Sequence, residues 1–427
     1  MDVRKLALEA INKILEKGGY SNIVINEYLS KYELTKEDKA LFTILVLGTV
    51  EKKISIDYYI QDYLTKKQKT WVLNLLRMGV YQLVYLNIPE HVVVNETVNV
   101  ANIKDKYIGK FVNAVLRNFL RNPLKSIDNL GELDYLSIKY SYPKWLVAYL
   151  LKDYDSQTVI KIFEENEDKK KTSIRINNLK SNYDEVAKIL TNDGIEFSRH
   201  ELVNNGLVVN KSIVNHSLFL SGKVTIQDIA SQKVSEVLNP SKGSIVLDIC
   251  SAPGGKTSHL ADIMNNTGEI HACDVHEHKL KLMKTNFKRL GVENVKLQLI
   301  DGRMIKDHVK SGAFDYILAD LPCSGLGVLG HKVDVKYNIN IESIEEIIKL
   351  QEEILNSTAD LLKVGGYYVY STCTINKAEN EEQVKKFLES HLNYEKIEEH
   401  VYLPFEYHTD GFYICKMRRN KWQTFLV

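Results

Sequence analysis

The chain is expected to be multidomain: an all-helical front (residues 1–125), a small α+β middle (126–240) and a Rossmann-like α/β domain (241–427). Three observations lead there. Apolar residues recur at helical spacing through the front, with no proline before Pro89. Residues 172–177 alternate in the manner of a strand. From about residue 241, strand-like runs alternate with amphipathic ones, the rhythm of a parallel, doubly wound sheet.

In the front, Leu6, Ala10 and Ile14 mark one helix, and Leu41, Ile44, Leu45 and Leu47 a second. Leu73, Leu76, Val80, Leu83 and Val84 mark a third. Gly18-Gly19 and Ile88-Pro89-Glu90 read as turns. A last amphipathic helix carries Phe111, Val115, Leu116 and Phe119 on one side, Arg117 and Arg121 on the other, and Asn122-Pro123 closes it. In the middle, Pro143 opens a helix, 164–171 is a charge-rich turn, 172–177 a strand, 184–190 a helix and 206–209 another strand. The last part reads as strands at 244–249, 269–274, 295–300, 314–320, 366–372 and 412–417, with a weaker one near 394–397. Helices are expected between them at 256–264, 277–290, 342–362 and 379–390.

With 44% hydrophobic and 26% charged residues, a chain of 427 can bury a large core without disulfides or metals. The net charge of +1 is unevenly spread: residues 1–125 hold 19 Lys and Arg against 13 Asp and Glu, the remainder 37 against 42. A modestly basic front is compatible with a polyanionic partner. The five cysteines, Cys250, Cys273, Cys323, Cys373 and Cys415, are odd in number and form no Cys-x-x-Cys pair. That argues against a disulfide framework or a zinc site and for a reducing, cytoplasmic setting. The N-terminus enters a helical pattern at once, unlike a signal peptide, and no run of 18 apolar residues would span a membrane. No membrane, metal or partner chain is expected; a monomer suffices.

The chemistry-bearing residues gather at predicted strand ends, where doubly wound sheets bind ligands. Asp248-Ile249-Cys250-Ser251-Ala252-Pro253-Gly254-Gly255-Lys256-Thr257 reads as strand, glycine turn and helix start, which lets a backbone approach a ligand. It is not a phosphate loop, because Cys250 stands where that pattern needs glycine. Asp274 ends the next strand and would suit the hydroxyls of a ribose, or equally cap a helix. Asp301-Gly302-Arg303 ends the third, either against an adenine amino group or as a turn with a local ion pair. Asp320-Leu321-Pro322-Cys323-Ser324-Gly325 ends the fourth, where Pro322 stops the ladder. Ser371-Thr372-Cys373-Thr374 ends a buried strand, and a thiolate there would be the strongest nucleophile in the cleft. Cys250, Cys273 and Cys415 lack such surroundings as nucleophiles and read as structural. A nucleotide-type cofactor beside two thiols fits few chemistries; methylation of a cytosine carbon fits best.

At these motifs the chain resembles the bacterial small-subunit (16S) ribosomal RNA cytosine-C5 methyltransferases of the RsmB (Sun, Fmu) type, over nearly its full length. Residues 286–291 and Thr409-Asp410-Gly411-Phe412 share the resemblance. Tyr20-Ser21-Asn22, residues 38–42 and residues 111–117 resemble a NusB-like RNA-binding domain. The resemblance implies a class I methyltransferase with S-adenosyl-L-methionine lying on Cys250, Ser251, Ala252, Pro253, Gly254, Gly255 and Lys256. It further implies Asp274 at the ribose, Asp301 at the adenine and Asp320 near the methionine end and the base. By the same resemblance Cys373 is the nucleophile on carbon 6 of cytosine, Asp320 assists protonation of the ring nitrogen, and Cys323 serves proton loss from carbon 5 and product release. The implied partner is 16S ribosomal RNA, at a hairpin loop whose base can leave its stack, naked or in an early assembly intermediate. Transfer RNA as substrate, exchanged thiol roles and a non-catalytic assembly factor are the alternatives. Ser251 and Leu321 depart from commoner alanines, Lys279 from a frequent Arg, and residues 330–337 lack an Arg-Arg-x-Pro-Asp pattern.

Overall fold

The computed structural model describes residues 2–168 and 172–421. The chain divides into two compact units, Met1–Glu167 with Leu329–Ile339, and Asp168–Val328 with Asn340–Val427.

The first unit is helical. Its opening helix, Val3–Lys17, starts where the Asp2 carboxylate accepts the backbone N–H groups of Arg4 and Lys5, and stops at Gly18 in the left-handed region. It buries Val3, Leu6, Ala7, Ala10, Ile11 and Ile14, one helical face. Helices Lys36–Glu51, Thr70–Tyr85, Glu90–Lys104 and Lys106–Arg121 close the same core around Phe42, Leu45, Leu75, Leu76 and Leu116. Each such side chain contributes about 1.5–3 kcal/mol on burial. Arg77 grips Asp57 through two hydrogen bonds of 2.7 Å. Helix continues past residue 125, in Glu132–Tyr140, Lys144–Asp153 and Ser156–Glu167. The turn expected at 164–171 is therefore helix as far as Glu167, and residues 169–171 lie outside those described.

Residues 329–339, which the sequence places within the 241–427 α/β domain, belong to this helical unit. Val333 and Tyr337 join its core, and Asp334 accepts the Ser21 hydroxyl. Lys336, only 2% exposed, donates to the Glu51 carbonyl at 2.9 Å and lies against the Tyr142 and Tyr337 rings.

The second unit holds two sheets. The smaller, ordered β2-β3-β1-β4, is antiparallel: β1 Thr172–Ile176, β2 Phe197–Arg199, β3 Gly206–Val209 and β4 Val224–Ile226. The strands expected at 172–177 and 206–209 are β1 and β3; β2 and β4 are too short to register as periodic patterns. Arg175 of β1 is wholly buried and donates to Gln227, Asp262 and Ser258 at 2.9–3.0 Å, which ties this sheet to the helix Gly255–Ile263.

The larger sheet is ordered β10-β11-β9-β8-β5-β6-β7. Its strands are β5 Ile245–Asp248, β6 Glu269–Asp274, β7 Val295–Leu299, β8 Phe314–Asp320, β9 Leu362–Thr372, β10 Tyr394–Tyr402 and β11 Phe412–Arg419. The expected α/β architecture is present, but the sheet is mixed. The strands β9-β8-β5-β6-β7 run parallel, whereas β11 pairs antiparallel with β9 and β10 with β11. The helix expected over 342–362 ends at Thr358, because Ala359–Leu361 tighten into a 3₁₀ turn and Leu362 already belongs to β9. The order reverses between β5 and β8, the switch point at which such sheets bind ligands.

Candidate active site

Asp248 ends β5 on one side of the switch point. One carboxylate oxygen accepts the Thr257 hydroxyl at 2.7 Å; the other, Oδ1, is buried with no hydrogen-bond partner among the described residues. Burial pushes the Asp248 pKa up to about 7, partly offset by Thr257, with Asp320 and Asp274 adding and Lys256 opposing. The turn that follows is pinned to β6, since the Ser251 N–H and hydroxyl both donate to the Cys273 carbonyl at 2.9 and 3.0 Å. Gly254 adopts φ +93°, and a Cβ there would press on Phe287 and Met283. The helix Gly255–Ile263 then starts, with Lys256 in its first turn.

Asp320 ends β8 on the other side. Its register partner on β9 is Ser371, whose hydroxyl donates to Oδ1 at 2.8 Å, while Lys256 Nζ donates to Oδ2 at 2.7 Å. Burial would lower the Lys256 pKa, but the charge and hydrogen bond of Asp320, with Cys373 and Asp248, outweigh it and hold the ammonium above its ordinary value.

The two thiols meet beyond these strand ends: Cys323 Sγ lies 3.2 Å from Cys373 Sγ. The hydrogen bond to Cys373 and then burial raise the Cys323 pKa well above its usual range. Burial pushes Cys273 and Cys415 up to about 12, and burial with the field of Asp248, Asp274 and Asp320 raises Cys250 as well. These three remain protonated thiols at neutral pH.

Asp248, Cys250, Lys256, Asp274, Asp320 and Cys373 thus share one electrostatic neighbourhood. Asp274, 8% exposed, accepts the His276 N–H at 2.9 Å. Asp301 is differently occupied. Its carboxylate binds Arg303 at 2.6–3.1 Å, which holds its pKa below the usual carboxylate range, and it caps the 3₁₀ turn Gly302–Asp307.

One participant is not visible in the sequence motifs. Glu379 is fully buried and accepts from the Ser324 N–H (2.8 Å) and hydroxyl (2.5 Å), from Asn376 (2.9 Å) and from Gln351 (3.2 Å). Burial raises its pKa against the pull of those donors. The sequence pattern places it as the first residue of a helix; the helix starts at Glu381, after a 3₁₀ turn Lys377–Glu379. The only hint in the sequence is its place shortly after Cys373.

The chain is similar to known proteins along nearly its whole length. Residues 235–418 match the family described as 16S rRNA methyltransferase RsmB/F. Residues 1–121 match the NusB family, and 142–215 the ferredoxin-like domain of RsmF/B-like methyltransferases. A relative from Bacillus subtilis (strain 168), named probable ribosomal RNA small subunit methyltransferase B, is 35% identical over 440 residues, covering 98% of each chain. The chain belongs to the ribosomal RNA small subunit methyltransferase B family. A second member, from Proteus mirabilis, is 32% identical over 98% of this chain and 99% of its own. The solved structure of PH0851 superimposes with a TM-score of 0.85 at 27% identity, covering 98% of this chain and 99% of that one.

Members of this family use S-adenosylmethionine. The cleft suits it: a buried carboxylate oxygen of Asp248 lacks a partner among the described residues, Gly254 keeps the turn clear of a side chain, and the acidic groups would suit a ligand that carries hydroxyls and positive charge. Among the described residues no group of three or more His, Cys, Asp or Glu is placed to hold a metal ion, and no helix is long and apolar enough to cross a membrane.

Proposed function

We propose that this protein methylates carbon 5 of a cytosine in small-subunit (16S) ribosomal RNA through a transient bond between Cys373 and carbon 6. The observation that carries the reading is the pair of sulfurs 3.2 Å apart, next to the Lys256–Asp320 pair. Two thiols in contact serve little purpose in methyl transfer to oxygen or nitrogen. They suit a reaction in which one sulfur attaches to the base and the other assists its departure. The full-length likeness to proteins named as small-subunit methyltransferases favours ribosomal over transfer RNA.

Residues 250–256 would hold S-adenosylmethionine, with Asp274 toward its ribose and Asp301, if it gave up Arg303, toward its adenine, and the cofactor would supply an electrophilic methyl group. The protein's own groups make the base reactive. Neutral cytosine is a poor carbon nucleophile, so Cys373 attacks carbon 6 as a thiolate and forms a carbon–sulfur bond. Asp320, backed by Lys256 and Ser371, assists protonation of the ring nitrogen, and the displaced electron pair makes carbon 5 an enamine carbon. Once carbon 5 carries the methyl group, Cys323 gives its own proton to solvent, because Cys373 is now a neutral thioether, and as a thiolate it takes the proton from carbon 5. The ring double bond re-forms, the carbon–sulfur bond breaks, Cys373 leaves as a thiolate and the ring nitrogen gives up its proton. The mutual attraction of Lys256 and Cys373, with the Cys323 S–H donating to it, favours the thiolate on Cys373 rather than on Cys323. The target base must leave its stack to reach these groups, as a hairpin loop allows. We take residues 1–125 to contribute to RNA holding.

Replacement of the two cysteines tests the assignment. Cys373→Ala is expected to abolish methylation and the trapping of RNA containing 5-fluorocytosine. Cys323→Ala should instead accumulate a protein–RNA adduct on ordinary cytosine. Reversed outcomes would exchange the two roles.

A further inference from the structure

We infer that Glu379 is a positioning residue that keeps Cys323 against Cys373, so that its loss slows product release more than attachment; this rests on the thiol roles proposed above. The two cysteine loops are anchored unequally. Cys373 directly continues β9, whose last residue, Thr372, still pairs with Tyr413 of β11. The Thr372 hydroxyl donates to Asn380, and Asn380 returns a bond to the Thr374 carbonyl at 2.9 Å. Cys323 lies beyond the end of β8, after a proline that can donate no ladder bond. Its neighbour Ser324 is held by Glu379 through both N–H and hydroxyl, and the Pro322 carbonyl by Gln351 at 2.8 Å.

Glu379 also takes up Asn376 of the Cys373 loop and Gln351 of the helix Ile341–Thr358. One buried carboxylate therefore collects donors from the loops after β8 and β9 and from a helix. A carboxylate only accepts, and every partner here donates. Glu379→Ala removes the acceptor that these donors share, although Gln351 keeps the Pro322 carbonyl and the Ser324 hydroxyl keeps Thr374. Glu379→Gln turns an NH₂ toward at least one of them, which the Ser324 hydroxyl can partly absorb by rotating. In both, the Cys323 loop loses its carboxylate anchor and is left with the Ser324–Thr374 hydroxyl contact, the Gly327 N–H bond to the Cys373 carbonyl and the Gln351 bond to Pro322, while Cys373 keeps the ladder and Asn380.

Gel-resolved adduct with ordinary cytosine RNA, measured together with turnover on the full chain, tests this. Glu379→Gln should lower turnover roughly ten- to a hundredfold while adduct accumulates, with Glu379→Ala more severe and Ser324→Ala milder in the same direction. If Glu379→Ala does not yield folded protein, the other two variants decide between the outcomes. Parallel loss of adduct and turnover in these variants would mark Glu379 as merely structural and overturn the inference, as would unchanged turnover. Cys323→Ala in the same gels separates the two layers: if it forms no adduct, the thiol roles fail; if it does and the Glu379 variants do not, only this inference fails.

Discussion

Lys256 and Lys336 are both withdrawn from water, and their affinities for the proton shift in opposite directions. Lys256 of the α/β unit has a side chain only 13% exposed, yet Asp320 at 2.7 Å keeps it firmly charged. Lys336 of the helical unit has a backbone carbonyl and aromatic rings around its amine instead of a carboxylate in contact. Burial pushes it down to about 7, and the nearby charges of Glu51 and Glu167 are countered by Lys52 and Lys53. Burial alone therefore does not decide ionisation; the partner does. The first lysine is a charge held in the cleft beside Asp320, the second a packed amine in a core.

Removing each in turn is the sharpest way to break that contrast. Lys256→Met should reduce methylation by roughly a hundred- to a thousandfold and slow iodoacetamide labelling of Cys373 at neutral pH, with little change in melting temperature. Lys336→Met should leave activity per folded molecule nearly intact and act on stability. The folded value of about 7 lies below the 10.5 of an ordinary lysine. Between those values the unfolded chain binds the extra proton, so wild-type stability rises with pH there and is flat below about 7. Lys336→Met removes that slope and should be the more stable protein at pH 7, by on the order of 2–4 kcal/mol, the advantage shrinking toward pH 10. Melting curves across that range check this. Equal loss of activity from both variants would erase the distinction.

A smaller effect is expected where lysines and arginines stay in water. Lys106, Lys110, Arg117 and Arg121 lie exposed on the helix Lys106–Arg121, opposite buried Val112, Val115, Leu116 and Phe119. Changing them to Gln should weaken RNA binding severalfold and flatten its salt dependence by about 0.7–0.9 log units for each phosphate no longer neutralised, without altering adduct formation at saturating RNA. An unchanged salt slope would remove this face from RNA binding.

Much of this is legible in the chain itself. The acids and thiols at strand ends are local motifs, and strand ends in a doubly wound sheet converge on one edge, so Asp248, Asp320, Cys323 and Cys373 can be placed by pattern alone. What stays hidden depends on partners distant in sequence. Glu379 stands in a polar run that looks solvent-facing, and only the fold brings Ser324 and Gln351 to it. Arg175 alternates like any strand residue, and nothing nearby announces that Asp262 will bury with it. The antiparallel edge is not readable because period-two patterns do not record strand direction.

The excursion at Leu329–Ile339 bears on how the gene can be dissected. Its Val333, Lys336 and Tyr337 complete the interior of a unit whose other residues come from the opposite end of the chain. A cut near residue 167 would leave the amino-terminal fragment with a hole and give the carboxy-terminal fragment an orphaned apolar plug. Insertions and splits tolerated between ordinary domains are therefore expected to yield insoluble halves here, and the two halves should regain solubility when they are produced together.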